Sequence, residues 1–203
     1  VLTKLIGRGN VAGPTTSSLA TDFGLQPLLG KSLAVVSDAR FTGNNIQTVI
    51  ERLLCISGED LLTIDRKHIS SVTLKLSTRF MFLSNEIPRL SDASGALAGR
   101  FMILKFTESF FGREDKELSR KLYKELPGIL NWAIAGWKRL RERGRFKQPE
   151  FAEDMVDEME GLGSPVGAFL RDCCVIDAGN RIDVDVLYSA WRTWCIDQGH
   201  NSI

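Results

Sequence analysis

Apolar residues follow two different spacings along the chain, and each spacing predicts a different kind of element. Short apolar runs bounded by polar residues occupy positions 33–36, 80–83 and 101–104, and such runs are typical of buried strands. In residues 72–76 apolar and polar side chains alternate. We therefore expect this segment to pair with residues 61–64 as a β-hairpin.

Helical spacing of apolar residues predicts most of the remaining elements. The clearest of these helices is predicted at 45–57, where apolar side chains recur every three or four positions until Gly58 ends the pattern. Pro127 and Gly128 are predicted to separate two later helices. The predicted helices cover residues 1–6, 45–57, 114–126, 129–143, 148–163, 165–174 and 186–197, with one or two helical turns at 17–23 and a short strand at 181–184. Interleaved strands and helices indicate an α/β fold.

The composition narrows the class of protein without assigning a function. Lys and Arg total 26 and Asp and Glu total 25, so the net charge of +1 gives no global reason to expect nucleic-acid or membrane binding. The four cysteines form no CxxC pair, which argues against a zinc site or disulfide framework and favours a reducing cytoplasm. No apolar run approaches the roughly 20 residues that cross a bilayer. The chain begins as though inside a helix, so we expect a fragment of a longer protein.

Polar side chains stand where the predicted strands end or begin. Asp38 and Asn85 each follow a predicted strand, Arg100 precedes the next one, and the loop between carries Arg89 and Asp92. Ligands of open α/β sheets bind at the carboxyl ends of strands. The set therefore predicts a site with an acid for a metal ion, an amide to orient water and a cation for transition-state charge. An ordinary surface loop with a satisfied asparagine is the alternative.

One short motif partly matches a phosphate-binding loop but lacks the features that such a loop requires. Gly30, Lys31 and Ser32 match the end of the phosphate loop GxxxxGK[ST], but Leu25 stands where its first glycine is required. The motif also leads into a predicted strand, whereas a phosphate loop follows one. We do not expect phosphate to bind here.

Basic residues cluster at the end of the helix predicted at 129–143. The segment 138–147 reads KRLRERGRFK and holds six basic residues and one acid. Such a run is typical of a solvated helix end, where the helix dipole favours cations, and nucleic-acid binding is the alternative. Near the end of the chain, Tyr188, Trp191 and Trp194 recur at helical spacing, which favours core positions over a docking surface.

Several motifs occur in an order that resembles the helicase part of phage and plasmid primase-helicases. They read LAVVSDAR, SGED after a helix, DRKH at the hairpin, FLSNEIPRL, SDASGALAGRF and ELPGILNWAIAGWKRL. This family is the superfamily-three AAA+ class, which includes poxvirus and papillomavirus replicative helicases. The resemblance covers about residues 1–150. It implies a truncated P-loop NTPase-like core with a central parallel sheet and a β-hairpin over 1–112, a helical extension and linker over 113–163, and a small winged-helix-like region over 164–203.

The resemblance also implies roles for individual residues. Asp38 looks like the Walker B acid that holds Mg²⁺, Asn85 like the sensor amide, and Arg100 like an arginine finger for the ATP of a neighbouring subunit. Three hairpin residues would grip the DNA backbone inside the ring channel: Arg66, Lys67 and His68. The implied cofactors are ATP and Mg²⁺. The implied partners are single-stranded or forked DNA, further copies of the chain in a head-to-tail ring, expected to be a hexamer, and a primase domain in the same polypeptide.

The chain departs from the family pattern at the phosphate loop. That loop would precede Val1, and Ser37 stands where many relatives have a second acid. Without the amides and the lysine of that loop, we expect these 203 residues alone not to hydrolyse ATP. A non-enzymatic DNA-binding or replication-initiator adaptor built on a degenerate AAA+ fold is the alternative function.

Overall fold

A computed structural model describes residues 1–41, 45–88, 97–163 and 165–197. The chain is a mixed α/β protein with a small parallel sheet, a separate β-hairpin and several helices. The strands are β1 (Val11–Ala12), β2 (Leu33–Val36), β3 (Leu62–Arg66), β4 (Ile69–Leu74) and β5 (Arg79–Phe82). The helices are α1 (Leu2–Ile6), α2 (Ile46–Ser57), α3 (Leu118–Lys124), α4 (Leu126–Arg143), α5 (Glu153–Gly163), α6 (Pro165–Cys173) and α7 (Val184–Asp197). Within these described ranges, no helix has the length and apolar character needed to cross a membrane.

The parallel sheet has the strand order β1, β2, β5. β2 and β5 pair in register from Leu33 opposite Arg79 to Val36 opposite Phe82, and β1 pairs with the start of β2. Both strands were predicted from their apolar runs and are confirmed, with β5 beginning one residue before its run. Parallel strands need a crossover connection, and here α2 and the hairpin form the link from β2 to β5.

The hairpin and α2 are also confirmed. β3 and β4 pair antiparallel, with Leu62 opposite Leu74, and the buried Ile64 joins the hairpin to the core. α2 presents one apolar face to the core, and its buried side chains are Val49, Ile50, Leu53 and Ile56. The same core takes in Met159 of α5, which is 1% exposed, so the acidic helix packs on the α/β unit through that side chain.

The strand predicted at 101–104 is not formed. The segment follows a 3-10 turn at Ala98–Arg100 and carries on as irregular chain, with Phe101 in an extended conformation. Phe101 and Ile103 still pack against the core as an apolar run predicts. Their backbone groups bond instead to the side chain of Gln148: Ile103 N donates to Oε1 and Phe101 O accepts from Nε2, each at 3.4 Å. A strand requires a ladder partner, and a local apolar pattern does not supply one.

Two helix starts correct the sequence predictions. Residues 181–183 form no strand, because Asp183 accepts the backbone N–H of Asp185 at 2.9 Å and so opens α7 in the manner of a helix cap. Pro127 does not separate two helices. It lies in the first turn of α4, where its missing N–H leaves no hydrogen bond unmade.

The aromatic residues of α7 divide between two environments. The ring of Trp194 lies 6.0 Å from that of the buried Phe169 in α6, so this tryptophan contributes to the α6–α7 contact. Tyr188 is 50% exposed and packs on Trp191 at 5.6 Å. The prediction of a core position therefore fits Trp194, which packs on a buried ring, better than the half-exposed Tyr188.

Candidate functional site

The predicted acid and amide lie at neighbouring strand ends. Asp38 follows β2 and Asn85 follows β5, and these two strands are paired directly. The pairing continues past the strand ends, since Leu83 N donates to Val36 O at 2.9 Å and Ala39 N donates to Leu83 O at 2.8 Å. The two segments that carry the polar side chains are thereby held side by side.

Asp38 sits in an unusual backbone conformation. Its φ is 49°, in the left-handed region that few residues other than glycine adopt, although aspartate tolerates it better than most. The side chain is exposed, while Ala39 directly after it is buried. No side-chain hydrogen bond or ion pair links the carboxylate to another part of the chain that the structure describes. An exposed carboxylate of this kind is available to a cation or a ligand.

A cavity of about 820 Å³ runs along β5 and includes all three predicted catalytic residues, Asp38, Asn85 and Arg100, in its wall. Its other lining is mostly apolar, with Phe80 and Phe82 of β5 stacked 5.7 Å apart. The apolar part of this wall was not predicted as part of a site. Part of it comes from residues 101–106, of which 101–104 are the predicted strand, and from the more distant Phe146: Phe101, Met102, Leu104, Phe106 and Phe146.

Arg100 lines the same cavity, and its guanidinium is held by α2. Its guanidinium Nη1 donates to Leu54 O at 2.7 Å and to Ser57 Oγ at 2.8 Å, at the carboxyl end of α2. Just beyond that helix end, Glu59 pairs with Arg79, the first residue of β5, at 3.0 Å. Asn85 follows the other end of the same strand. Arg100 thus shares the cavity with the acid and the amide, and its own hydrogen bonds go to α2.

The hairpin residues lie away from this cavity. Lys67 and His68 form the tip between β3 and β4, and both side chains are exposed. The tip is fixed by backbone and side-chain bonds: Lys67 N donates to Gln26 Oε1 at 3.0 Å, and Arg66 Nε donates to Ser70 O at 2.8 Å. His68 has a φ of 64°, which closes the turn. These bonds hold the tip, where the ammonium group of Lys67 is exposed beside Arg66.

The GKS sequence is a structural turn. Gly30 has a φ of 71°, and the ammonium of Lys31 donates to the carbonyl oxygen of Gly9 at 2.5 Å. The buried hydroxyl of Thr78 donates to Lys31 O at 2.7 Å and lies 3.2 Å from Leu28 O. The motif precedes β2 as predicted, and its lysine is engaged in holding the turn.

The described residues offer few side chains that could bind a metal ion together. No group of three or more His, Cys, Asp or Glu side chains gathers there in a way that would hold a metal ion. Arg89 and Asp92, which belong to the predicted polar loop, lie outside the described residues. Asp38 is thus the carboxylate that the cavity offers to a cation.

Two carboxyl groups with displaced pKa values lie before α3. The ammonium of Lys121 bonds Asp115 Oδ2 at 2.6 Å, and this bond lowers the pKa of Asp115 below its ordinary value. Gly112 N donates to Glu114 Oε1 at 2.9 Å and lowers the pKa of Glu114 in the same direction. Asp115 also accepts the N–H of Glu117 at 2.9 Å, so this cluster organises the start of a helix.

Comparison with known proteins finds a family model that is similar to the first part of the chain. Residues 1–100 match the model of a family described as a family of unknown function (DUF5906). The match contains β1 to β5, α2 and the predicted site residues, and it ends at Arg100. No curated protein matches the chain.

Proposed function

We propose that the chain is the carboxyl-terminal part of an ATP-dependent ring DNA helicase of the superfamily-three AAA+ class. Such a protein would serve the replication of a phage, plasmid or other mobile element, in the cytoplasm of a bacterial or host cell. The observation that carries the proposal is the placement of Asp38 and Asn85 at adjacent carboxyl ends of two paired parallel strands. A nucleotide hydrolase needs an acid and an amide at such a position.

In this proposal Asp38 and Asn85 act on the same bound ATP. Mg²⁺ is commonly held by one or two carboxylates together with substrate phosphates, so the single exposed carboxylate of Asp38 fits that ion as one ligand. When bound, Mg²⁺ would neutralise charge on the phosphates. Asn85 would orient the attacking water through its amide, and the hydrogen bonds between the strand ends hold its segment beside that of Asp38.

The described residues do not complete a phosphate site. A phosphate loop supplies backbone amides and a lysine, and no GxxxxGK[ST] sequence occurs in the 203 residues. Lys31 does not replace that lysine, because it holds the turn before β2. The proposal therefore requires the loop to come from another part of the native polypeptide. The 203 residues alone are expected to give no ATP hydrolysis.

The position of Arg100 supports a role at a different nucleotide. It is exposed, and its guanidinium donates hydrogen bonds to the end of α2 and to neither Asp38 nor Asn85. A guanidinium placed there suits the ATP of a neighbouring copy better than that of its own subunit. Such an arrangement requires a head-to-tail ring, which we propose to be a hexamer.

Mixing inactive subunits tests this division of roles. In the native polypeptide that contains these residues, Asn85→Ala and Arg100→Ala subunits should each lack DNA-stimulated ATP hydrolysis. Mixing them should restore part of the rate, because some interfaces then combine an intact Asn85 with an intact Arg100. The control pair, Asp38→Asn mixed with Asn85→Ala, should restore none, since both residues belong to the same subunit's site. Equal recovery in both mixtures, or in neither, contradicts the proposed sharing.

The hairpin tip is proposed to follow the phosphate backbone of single-stranded DNA in the ring channel. Replacing Arg66 and Lys67 by glutamine should weaken binding of labelled oligothymidylate and flatten its salt dependence by about 1 to 2 units of slope. Ile69 is exposed beside them and uncharged, so Ile69→Ala serves as a matched control that should leave the slope unchanged. Unchanged binding in the charge variants contradicts the hairpin role.

A non-enzymatic DNA-binding or replication-initiator adaptor is the second candidate. The observation that favours it is the structural use of the GKS turn, which leaves the described chain without a phosphate-binding lysine. An adaptor would bind DNA through the hairpin without hydrolysing ATP, even as the native polypeptide, and Asp38→Asn would not alter its DNA affinity. The helicase proposal also predicts a primase domain in the same polypeptide, which the adaptor does not need.

A further inference from the structure

The end of α4 and the turn after it form a strongly cationic surface. We define the α4 basic surface as residues 137–147. It holds six exposed basic side chains: Lys138, Arg139, Arg141, Arg143, Arg145 and Lys147. Glu142 is the one acid in this segment. Among the described residues, Lys147 alone of the six pairs with an acid, Glu150, at 3.8 Å. The other cations are left without a carboxylate partner in that part of the chain.

Large aromatic rings are exposed on and beside the same surface. Trp137 is 54% exposed and Phe146 is 70% exposed, while Trp132, one and a half turns earlier on α4, is 74% exposed. The guanidinium of Arg141 lies 5.1 Å from the centre of the Trp137 ring. A solvated helix end explains the cations, because they suit the negative end of the helix dipole. It does not explain why aromatic rings stand among them.

The helix geometry gathers the rings and the cations on shared stripes. Trp137 and Arg141 are four residues apart, and Trp132, Arg139 and Arg143 follow one another at intervals of seven and four. Gly136 lies between them on the second stripe. A Cβ there would come within 3.7 Å of Arg139 Nη2, so the Arg139 side chain lies back along the helix over the glycine.

The turn after α4 holds the rest of the surface in place. Gly144 adopts a φ of 73° at the end of the helix and donates its N–H to Leu140 O at 2.8 Å. Arg143 Nε then donates to Arg145 O at 2.7 Å. Phe146, next in the chain, also lines the cavity along β5. The surface thus runs from the middle of α4 to the edge of the candidate nucleotide site.

We infer that the α4 basic surface binds single-stranded nucleic acid at a site separate from the hairpin tip. Unpaired cations beside exposed aromatic rings are the two components of sequence-tolerant single-strand binding, since phosphates bind the cations and bases stack on the rings. A duplex keeps its bases stacked within itself and cannot use the rings in this way. The inference holds whether or not the chain hydrolyses ATP.

The test measures single-strand binding with the hairpin contribution removed. Fluorescence anisotropy of labelled oligothymidylate is followed with the full chain carrying Arg66→Gln and Lys67→Gln. Adding three replacements on α4 should weaken the remaining binding about tenfold and reduce the salt slope by about 2 units: Arg139→Gln, Arg141→Gln and Arg143→Gln. The matched control removes the same charge from exposed residues at or near α3: Lys116→Gln, Arg120→Gln and Lys124→Gln. It should change the affinity less than about twofold.

A second variant separates stacking from charge. Trp137→Leu keeps an apolar side chain and all the cations, and it should weaken oligothymidylate binding about tenfold. It should also remove most of the quenching of tryptophan fluorescence that the oligonucleotide causes, whereas Trp194→Phe should keep it. Circular dichroism verifies the fold of each variant.

Three results would overturn the inference. The first is equal weakening by the α4 and α3 charge variants, which would mean that binding depends on the net charge of the chain and not on the α4 basic surface. The second is unchanged binding by Trp137→Leu, which would leave a cationic patch without stacking. The third is equal competition by an acidic polypeptide, poly-glutamate, which would assign the surface to an acidic protein partner.

Discussion

The hydroxyl of Thr78 gives the sharpest prediction about the structure next to the candidate site. Thr78 is 1% exposed, directly before β5, and its Oγ1 lies 2.7 Å from Lys31 O and 3.2 Å from Leu28 O. A hydroxyl has one hydrogen to donate, and the shorter distance assigns it to Lys31. Leu28 O also accepts the N–H of Lys31 at 3.0 Å, so the Lys31 carbonyl depends more on the threonine.

Thr78→Val keeps the shape of the side chain and removes its donor. The lost hydrogen bond contributes about 1 kcal/mol, and leaving the Lys31 carbonyl without a partner adds a similar amount, so we expect a loss of about 2 kcal/mol in the free energy of unfolding. A methyl group cannot approach that oxygen to 2.7 Å, so the turn before β2 must also shift. Thr78→Ser is the control, because it keeps the donor and loses one methyl group, at a cost of about 1 kcal/mol.

Urea unfolding followed by circular dichroism measures the difference. The midpoint should fall in Thr78→Val with an unchanged slope, and the melting temperature should drop by about 4–8 °C for a chain of this size. Thr78→Ser should fall about half as far. A valine variant as stable as the wild type would refute this description of the turn, because the Lys31 carbonyl would then not depend on Thr78. It would also remove one of the contacts that support a purely structural role for residues 30–32.

Three further predictions concern the scaffold. Gly24→Ala should lower the free energy of unfolding by about 2 kcal/mol or more, because the new Cβ would lie 2.0 Å from a backbone oxygen. Gly9→Ala is the control: its Cβ meets no atom within 4 Å, so its melting temperature should stay nearly that of the wild type. Ile64→Ala should cost about 2–4 kcal/mol, since this 1%-exposed side chain joins the hairpin to the core; a loss under about 1 kcal/mol in urea unfolding would contradict that. Lys121 lowers the pKa of Asp115, so the stabilisation is present above the ordinary carboxyl pKa and is lost as pH falls through the lowered value. The stability difference between the wild type and Asp115→Asn should therefore shrink as the pH is lowered below the ordinary carboxyl range, and a difference that stays constant on acidification would contradict the ion pair.

Local patterns predicted the elements whose signal lies within their own stretch of sequence. α2 followed from its helical spacing and Gly58, and the hairpin followed from alternation in two nearby segments. β2 and β5 were predicted because buried parallel strands read as short continuous apolar runs. In each case the signal and the structure share one stretch of sequence.

The predictions failed where a hydrogen-bond partner, or the position of a residue within its helix, decides the structure. Residues 101–104 have a strand's composition, but their backbone bonds go to Gln148, more than forty positions later. Pro127 considered alone predicts the end of a helix. It is compatible with α4 because it lies in the first turn, and the sequence around it does not show where that turn begins. The segment at 181–184 includes the apolar Ile182 and Val184, but Asp183 caps the start of α7 instead.

The candidate site was predicted in part for the same reason. Asp38 and Asn85 were identified because each follows a strand on its own segment, and the pairing of β2 with β5 brings them together. The location of Arg100 depends on the carboxyl end of α2, which no spacing near the arginine reveals. The apolar wall of the cavity likewise draws on Phe146, a residue with no recognisable signal in the sequence.

ATP hydrolysis by the native polypeptide that contains residues 1–203 tests the central claim most directly. The rate is measured with and without single-stranded DNA, for the wild type and for Asp38→Asn, with Asp60→Asn as a control at an exposed acid near the end of α2. We predict hydrolysis that DNA stimulates, that Asp38→Asn abolishes and that the control retains. An absence of hydrolysis in the wild type, or an unchanged rate in Asp38→Asn, would contradict the helicase proposal.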